Sequence, residues 1–219
     1  MSTKERAARK TTTPRRAPRV NQRAIRKAET RQRILNAAAT IARREGLHAA
    51  SIPRVMREAG LTIGGFYGHF ESKVAMDAEI IRTIFEPIAS GALARLQPRQ
   101  GLAWLEKAVR NYLSVINRDH PQSCPYPAIL SEVAIASEPI KKAFTEAMKL
   151  RIAAYEAHAP RLPGVSPRER ALAATALTIG GLILARATAG DPLSDDILAA
   201  CAKWALPELD EEAERAASH

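Results

Sequence analysis

Cysteine, aromatic residues and long uncharged stretches are all scarce in this chain of 219 residues. The two cysteines, Cys124 and Cys201, are too few for a disulfide framework, which favours a reducing compartment. The longest uncharged stretch of the apolar C-terminal part is residues 171–185, and its 15 residues fall short of the roughly 20 that span a bilayer. No apolar signal-peptide core follows Met1. We therefore expect a cytoplasmic protein with no membrane partner.

The motifs of the common enzyme classes are absent as well. The sequence contains no His-Glu-x-x-His, no Cys-x-x-Cys and no Gly-x-Ser-x-Gly. Gly60 and Gly65 have the spacing of a phosphate-binding loop, but Phe66 stands where that loop needs a lysine. The five histidines form no cluster with metal-ligand spacing. We predict that the protein is not an enzyme and has no catalytic residue, no metal and no cofactor.

What the chain does have is a strong charge asymmetry. Residues 1–33 hold twelve Lys and Arg against two acids, which accounts for the whole formal net charge of +10. The rest of the chain is balanced, with 21 bases and 21 acids. A basic arm on a neutral body indicates a polyanionic partner, nucleic acid first and an anionic membrane surface second. A solubilising tail and a transit peptide are the alternatives, although the segment lacks the apolar face of a transit peptide.

Apolar residues recur at helical spacing from residue 34 to about residue 206, and no alternating β-branched run is present. Ser166, Pro167 and Glu169 carry the signature of a capping box at the start of the eighth predicted helix. The sequence therefore predicts an all-α fold of about nine helices. Three short helices form an N-terminal domain, and a shared fourth helix joins it to a domain of longer helices. The predicted divisions are a basic, disordered arm at 1–29, domains at 30–76 and 77–207, and an acidic tail at 208–219.

Residues 51–73 carry the most informative pattern. A short helix ends at Ala59, Gly60 can adopt the left-handed conformation of a turn, and Thr62 can cap the following helix. Helix, short turn and helix make the helix-turn-helix geometry, whose second helix enters the major groove of DNA. We therefore expect this segment to bind double-stranded DNA.

The second helix of this pattern contains three glycines, each of which costs about 1 kcal/mol in a helix relative to alanine. Close approach of the backbone to a phosphate or a base edge would compensate that cost. Neighbouring hydroxyl, imidazole and ammonium groups could bind phosphate oxygens, whereas Phe66 and Phe70 are predicted to be core residues. The predicted DNA-contacting residues are Ser51, Arg54, Thr62, Ile63, Gly64, Gly65, Tyr67, His69 and Lys73.

These residues give the segment 30–76 a specific resemblance to the DNA-binding domain of the TetR/AcrR transcriptional regulators. Val55 and Met56 depart from the family pattern, and the larger Met56 implies repacking without a change of fold. Weaker similarity continues into the helical domain, including Cys124 and Pro125. The matching residues are Thr30, Arg31, Ile34, Leu35, Ala37, Ala38, Gly46, Ser51, Ala59, Gly60, Leu61, Thr62, Phe66, Tyr67, His69, Phe70, Ser72 and Lys73.

The resemblance implies a ligand-responsive regulator, most often a repressor, which is released from DNA by a small-molecule effector. Its partners would be a near-palindromic operator, a second copy of the chain and an unknown effector, with the protein on the nucleoid when bound to DNA. Cys124 is a candidate reactive thiol, the alternative being an inert one. The effector-site residues would be Trp104, Tyr112, Tyr126, Met148 and Tyr155, each of which could equally be ordinary core. The dimer-interface residues would be Ala174, Gly181, Ile197 and Cys201.

Two further interpretations remain open from the sequence. One is a helical-bundle enzyme or small-molecule carrier that has a vestigial helix-turn-helix. The other is association with a membrane surface through the basic arm. In the regulator interpretation, the arm strengthens binding to phosphates or reaches the adjacent minor groove.

Overall fold

The computed structural model describes residues 22–88, 100–120, 124–158 and 164–206. These residues form α-helices joined by short turns, with one 3-10 helix and no β-strand among them. The predicted all-α class is confirmed. The elements are α1 Gln22–Glu45, α2 Ile52–Glu58, the 3-10 helix Ile63–Gly68, α3 Lys73–Pro87, α4 Gly101–Tyr112, α5 Val115–Asp119, α6 Tyr126–Ile135, α7 Glu138–His158, α8 Pro167–Ala187 and α9 Leu193–Ala205.

The first helix begins earlier than the sequence predicted. α1 starts at Gln22, so residues 22–29 are helical and the expected end of a disordered arm at residue 29 is wrong. All the side chains from 22 to 29 are exposed, which explains why no apolar stripe marks this part of the helix in the sequence. Residues 1–21 of the predicted arm and the acidic tail at 208–219 lie outside the described residues.

Apolar residues recur at helical spacing from Leu102 to Ile116, which is typical of one helix, but the structure has two helices there. The chain breaks between α4 and α5, where the Ser114 hydroxyl accepts a hydrogen bond from the Asn117 amide at 3.1 Å. The Asn117 side chain also donates to the Tyr112 carbonyl at 2.7 Å. Short polar side chains that bond the backbone in this way compete with continuation of a helix.

A continuous core joins the two parts of the molecule. In the N-terminal part, Ile34 of α1 and Val55 and Met56 of α2 pack around Phe66, and all four are fully buried. α3 packs against α1 and also along α7, so it contributes to both parts. α8 in turn lies between α7 and α9.

Helix α8 is the one described helix that is long and apolar enough to cross a membrane by length and composition. In this fold it packs against α7 and α9, where it buries Ala171, Thr178 and Leu182. The predicted capping box is confirmed at its start: the Ser166 hydroxyl accepts from the Glu169 amide at 3.2 Å, and the Glu169 carboxylate accepts from the Ser166 amide at 3.0 Å.

Arg186, near the end of α8, holds the segment that leads from α5 to α6. Its guanidinium donates to the carbonyl oxygens of Asn117 at 2.7 Å, His120 at 2.9 Å and Cys124 at 3.2 Å. The last carbonyls of a helix have no partner within it, and here one planar fork satisfies several of them.

We therefore predict that Arg186→Met lowers the free energy of unfolding by about 2–4 kcal/mol, because it removes three hydrogen bonds that the guanidinium donates to backbone carbonyls. Urea denaturation followed by circular dichroism measures the change. Arg110→Met is the matched control, since Arg110 is an exposed residue paired only with Glu106 one turn away; we expect it to cost no more than about 0.5 kcal/mol. Equal costs for the two variants would contradict the prediction.

Candidate functional site

The turn between α2 and the 3-10 helix is built as the sequence predicted. Gly60 has φ +66°, which favours glycine. The Gly60 amide donates to the Arg57 carbonyl at 3.0 Å, and the Leu61 amide donates to the Met56 carbonyl at 2.8 Å. This paired arrangement closes α2 and satisfies carbonyls that the helix leaves open.

The second helix of the motif differs from the expectation. Residues Ile63–Gly68 form a 3-10 helix and not an α-helix. Glycine is a poor α-helix former, and three of these six residues are glycine. The aromatic residues are placed as predicted: Phe66 is fully buried and stacks on Phe70, with their ring centroids 5.5 Å apart.

The three glycines of this helix lie exposed on the surface. Gly64 and Gly68 have no other atom within 4 Å of the position that a Cβ would occupy, and at Gly65 the nearest atom is the terminal methyl of Met56, at 3.7 Å. None of the three has a positive φ. Within the described residues, neither packing nor backbone conformation requires glycine here. Close approach by another molecule, as expected from the sequence, would give the glycines a role.

Other predicted contact residues surround the glycines, and we call the whole set the glycine surface: Ser51, Thr62, Ile63, Gly64, Gly65, Tyr67 and Gly68. Ile63 is 54% exposed and Tyr67 is 70% exposed, which is unusual for large apolar or aromatic side chains. Ser51 and Thr62 occupy the N-cap positions of their helices, but neither hydroxyl makes a capping hydrogen bond. The surface therefore presents hydroxyl donors beside an open stretch of backbone.

Arg54 and Lys73, also predicted to contact DNA, are engaged within the chain. Arg54 forms a two-pronged ion pair with Glu45, at 2.6 and 2.7 Å. Lys73 donates to the Asp77 carboxylate at 2.5 Å and to the Leu47 carbonyl at 3.4 Å. A phosphate contact from either residue stays a prediction, and it would compete with these bonds.

His69 lies half-buried at the end of the 3-10 helix. Burial, followed by the charges of Lys27 and Arg31, lowers the pKa of His69, so the imidazole is neutral near pH 7 and would serve DNA as a hydrogen-bond donor. Arg31 was quoted from the sequence only as part of a family pattern. In the structure it donates to the His69 carbonyl at 3.3 Å, lies over the Phe70 ring at 4.6 Å and pairs with Glu79. Arg31 therefore fixes this end of the glycine surface against α1 and α3.

The predicted effector-site residues come together in the helical domain. Trp104, Tyr126 and Tyr155 are buried, and the Trp104 and Tyr155 rings meet edge to face with centroids 5.1 Å apart. The Tyr126 hydroxyl donates to the Met148 sulfur at 3.5 Å. Tyr112 is linked to these residues by Arg151, which the sequence analysis did not predict.

Arg151 is 2% exposed, and its guanidinium carbon lies 5.0 Å from the ring centre of Tyr112, 5.9 Å from that of Tyr126 and 5.2 Å from that of Tyr155. The sequence contains a signal for it. Arg151 falls on the buried stripe of α7, at helical spacing after Ala147 and before Tyr155. We call Arg151 and the three tyrosines the tyrosine-arginine cluster.

Burial controls the protonation of this cluster. It raises the pKa of Tyr126 to about 12 and the pKa of Tyr112 well above its usual range, so both phenols are neutral at physiological pH. Cys124, the candidate reactive thiol, is buried with its sulfur 2.9 Å from the Tyr112 hydroxyl oxygen. Within the described ranges, no group of three or more His, Cys, Asp or Glu side chains could hold a metal ion.

One of the predicted dimer-interface residues, Gly181, makes a close contact inside the chain. Ala174 and Gly181 are buried, and a Cβ at Gly181 would lie 2.7 Å from the sulfur of Cys201. The small Gly181 thus lets α9 approach α8 within one protomer. A role of Ala174 and Gly181 in a dimer interface stays a prediction. Ile197 and Cys201 are half-buried. The exposed apolar side chains on these helices are instead Leu172, Leu184, Leu193 and Trp204.

A polar contact links the N-terminal part directly to α6. Glu132 accepts from the His48 amide at 2.8 Å and lies 2.8 Å from the His48 ring nitrogen Nδ1. Gly46 has φ +91°, and a Cβ there would collide with the Glu132 carboxylate. Glu132 therefore seats the turn that follows α1, and we call this contact the Glu132 latch.

Comparison with known proteins agrees with this geometry. The family model for bacterial regulatory proteins of the tetR family matches residues 34–80, from α1 into α3. The chain is 26% identical over 164 residues to the HTH-type transcriptional regulator LmrA of Bacillus subtilis, covering 71% of this chain and 86% of LmrA.

Solved structures share the whole fold at low sequence identity. Escherichia coli NemR in its reduced form superposes with a TM-score of 0.65 at 18% identity, over 79% of this chain and 95% of NemR. Bacillus subtilis FadR in complex with stearoyl-CoA superposes with a TM-score of 0.60 at 10% identity, over 82% of this chain and 99% of FadR. The chain thus carries a DNA-binding domain that matches the tetR family of bacterial regulatory proteins over residues 34–80, and its all-α fold is similar to that of TetR-family regulators.

Proposed function

We propose that this regulator is a repressor that binds a near-palindromic operator as a homodimer and leaves it when a small-molecule effector binds among α4, α6 and α7. The glycine surface carries the DNA part of the proposal, because neither packing nor backbone conformation within the described residues requires its glycines and an outside partner would. The members of the TetR family bind DNA, act as dimers and bind small ligands. Its relatives are regulators, and no catalytic activity is proposed.

Two-fold symmetry relates the dimer to its operator. Two copies of the glycine surface would lie about 34–36 Å apart, one turn of B-DNA, and each would read one half-site. Exposed Leu184 and Trp204 support α8 and α9 as the helices that pair, since large exposed apolar side chains mark association surfaces.

The Glu132 latch supplies a route from the effector to DNA. Tyr126 begins α6 beside the tyrosine-arginine cluster, and Glu132 lies six residues further along the same helix, a rise of about 9 Å. An effector that displaces Tyr126 would move α6, and with it the turn at His48 and the attached helix α1. The effector would lower the affinity for operator DNA. Because coupling is reciprocal, operator DNA would lower the affinity for the effector by the same factor, typically about 5–150-fold.

The direct test is selection of genomic DNA by the purified full-length protein, followed by sequencing of the retained fragments. The proposal predicts enrichment of fragments that share an inverted repeat with half-sites about one helical turn apart. Retention of all fragments alike would mean that the basic arm binds DNA without reading it. Retention of none would favour the helical-bundle enzyme or carrier.

The glycine surface gives a sharp prediction. Gly64→Ala and Gly68→Ala should leave the protein as stable as before or stabilise it by up to about 1 kcal/mol, since the added methyl meets no other group. Each should weaken binding to a selected fragment, because the methyl separates the backbone from DNA. Fluorescence anisotropy and thermal melting measure the two effects. Full affinity in both variants would contradict the role of this surface.

Tyr67 gives an independent prediction. Tyr67→Phe removes an exposed hydroxyl and no core contact, so the melting temperature should stay unchanged while affinity for a selected fragment falls about tenfold or more. The double variant that also carries His69→Ala should bind the selected fragment still more weakly. Scrambled DNA of the same length is the control, and its binding should change little. A Tyr67→Phe protein that keeps its full preference for the selected fragment would refute the assignment.

Residues 1–21 carry seven bases, Lys4, Arg6, Arg9, Lys10, Arg15, Arg16 and Arg19. If they bind phosphates, their deletion should reduce the slope of log affinity against log salt by about 0.9 for each lost phosphate contact. The deletion stops short of α1, so the described fold is kept. An unchanged slope would show that the arm is not on the DNA.

A further inference from the structure

Arg151 is a buried cation without an acidic partner. Among the described residues, its one hydrogen bond is to the hydroxyl of Tyr155, at 3.4 Å, and its Nε makes none. No Asp or Glu among the described residues pairs with it. The sequence of the internal segments 89–99, 121–123 and 159–163 contains no acid either, so the other acids lie only in the terminal segments.

The charge on Arg151 is permanent, because a guanidinium does not deprotonate in proteins. Its neighbours are tyrosine rings whose hydroxyls stay neutral at physiological pH. The faces of aromatic rings attract a cation, but they do not replace the hydrogen bonds to water that the guanidinium loses on burial. A second buried donor, the Trp104 Nε1, lies beside Tyr155 and also has no partner. Buried hydrogen-bond donors without acceptors, next to a positive charge, are the features expected of an anion-binding site.

We propose that Arg151 binds the carboxylate of an organic monoacid, whose apolar body lies against Trp104 and the tyrosine rings. The planar fork of a guanidinium matches a carboxylate with two parallel hydrogen bonds. One buried positive charge balances one negative charge, whereas a phosphate dianion would leave a net negative charge in the core. This inference rests on the proposed function in one respect only, that the bound acid is the effector.

The two tryptophans of the chain provide a direct readout. Trp104 is fully buried in the site and Trp204 is 75% exposed on α9, so a Trp204→Phe protein reports on the site alone. The probes are matched acids and amides: benzoate and benzamide, phenylacetate and phenylacetamide, octanoate and octanamide. We expect at least one acid to change Trp104 fluorescence and to bind about 10- to 100-fold tighter than its amide. If no acid in the series binds tighter than its amide, the inference is overturned.

Arg151→Met tests the residue itself, since methionine keeps an unbranched chain of similar length without the charge. The preference for the acid should disappear. Without ligand, this variant should melt at the same temperature as the wild type or higher, because an unpaired buried charge has been removed. Lys149→Met, on the exposed face of the same helix, is the matched control and should keep the preference.

Two results would contradict the assignment of Arg151. One is an Arg151→Met protein that still prefers the acid. The other is a ligand-free Arg151→Met protein that melts several degrees below Lys149→Met, because Arg151 would then be part of the scaffold.

DNA binding separates this inference from the proposed function. An acid that binds through Arg151 without changing affinity for a selected fragment supports the site and contradicts effector-driven release. Specific DNA binding together with equal binding of acids and amides contradicts the inference alone.

Discussion

The packing of α3 along α7 is the contact on which the two ends of this molecule depend. α3 begins just after the glycine surface, and its Phe85 meets Phe144 of α7 edge to face with centroids 5.4 Å apart. The same Phe85 ring lies 4.7 Å from Tyr126 of the tyrosine-arginine cluster. Because cores are close-packed, a ligand that displaces Tyr126 must also move its neighbours on α3. The glycine surface and the tyrosine-arginine cluster are therefore parts of one packed unit.

Two features of the fold reduce its stability, and each lies at a proposed binding site. The glycines of the 3-10 helix add flexibility where alanine would fit, and Arg151 places a charge in the core without a counter-charge. Proteins tolerate local conflicts of this kind mainly where function needs them. In the proposed complexes, DNA would cover the glycines and an anion would pair with the arginine, so both conflicts would be relieved.

The sequence predicted the features that depend on local chemistry. The turn at Gly60 and the capping box at Ser166 follow from residue types and short spacings, and both are present. It did not predict features that depend on tertiary surroundings. The first part of α1, residues 22–29, has no buried side chain to mark it in the sequence. Arg151 is unusual only because no acid among the described residues pairs with it in space. The small residue Gly181 indicated close helix approach, but only the structure shows that the approaching helix belongs to the same chain.

The most direct test of this coupling is isothermal titration calorimetry of an acid from the probe series, first into the free protein and then into the protein saturated with a selected DNA fragment. Our interpretation predicts that bound DNA lowers the affinity of the protein for the acid by about 5–150-fold. The bound acid should lower the affinity for DNA by the same factor. Equal affinity of the acid for free and DNA-bound protein would contradict it, because the two sites would then be independent.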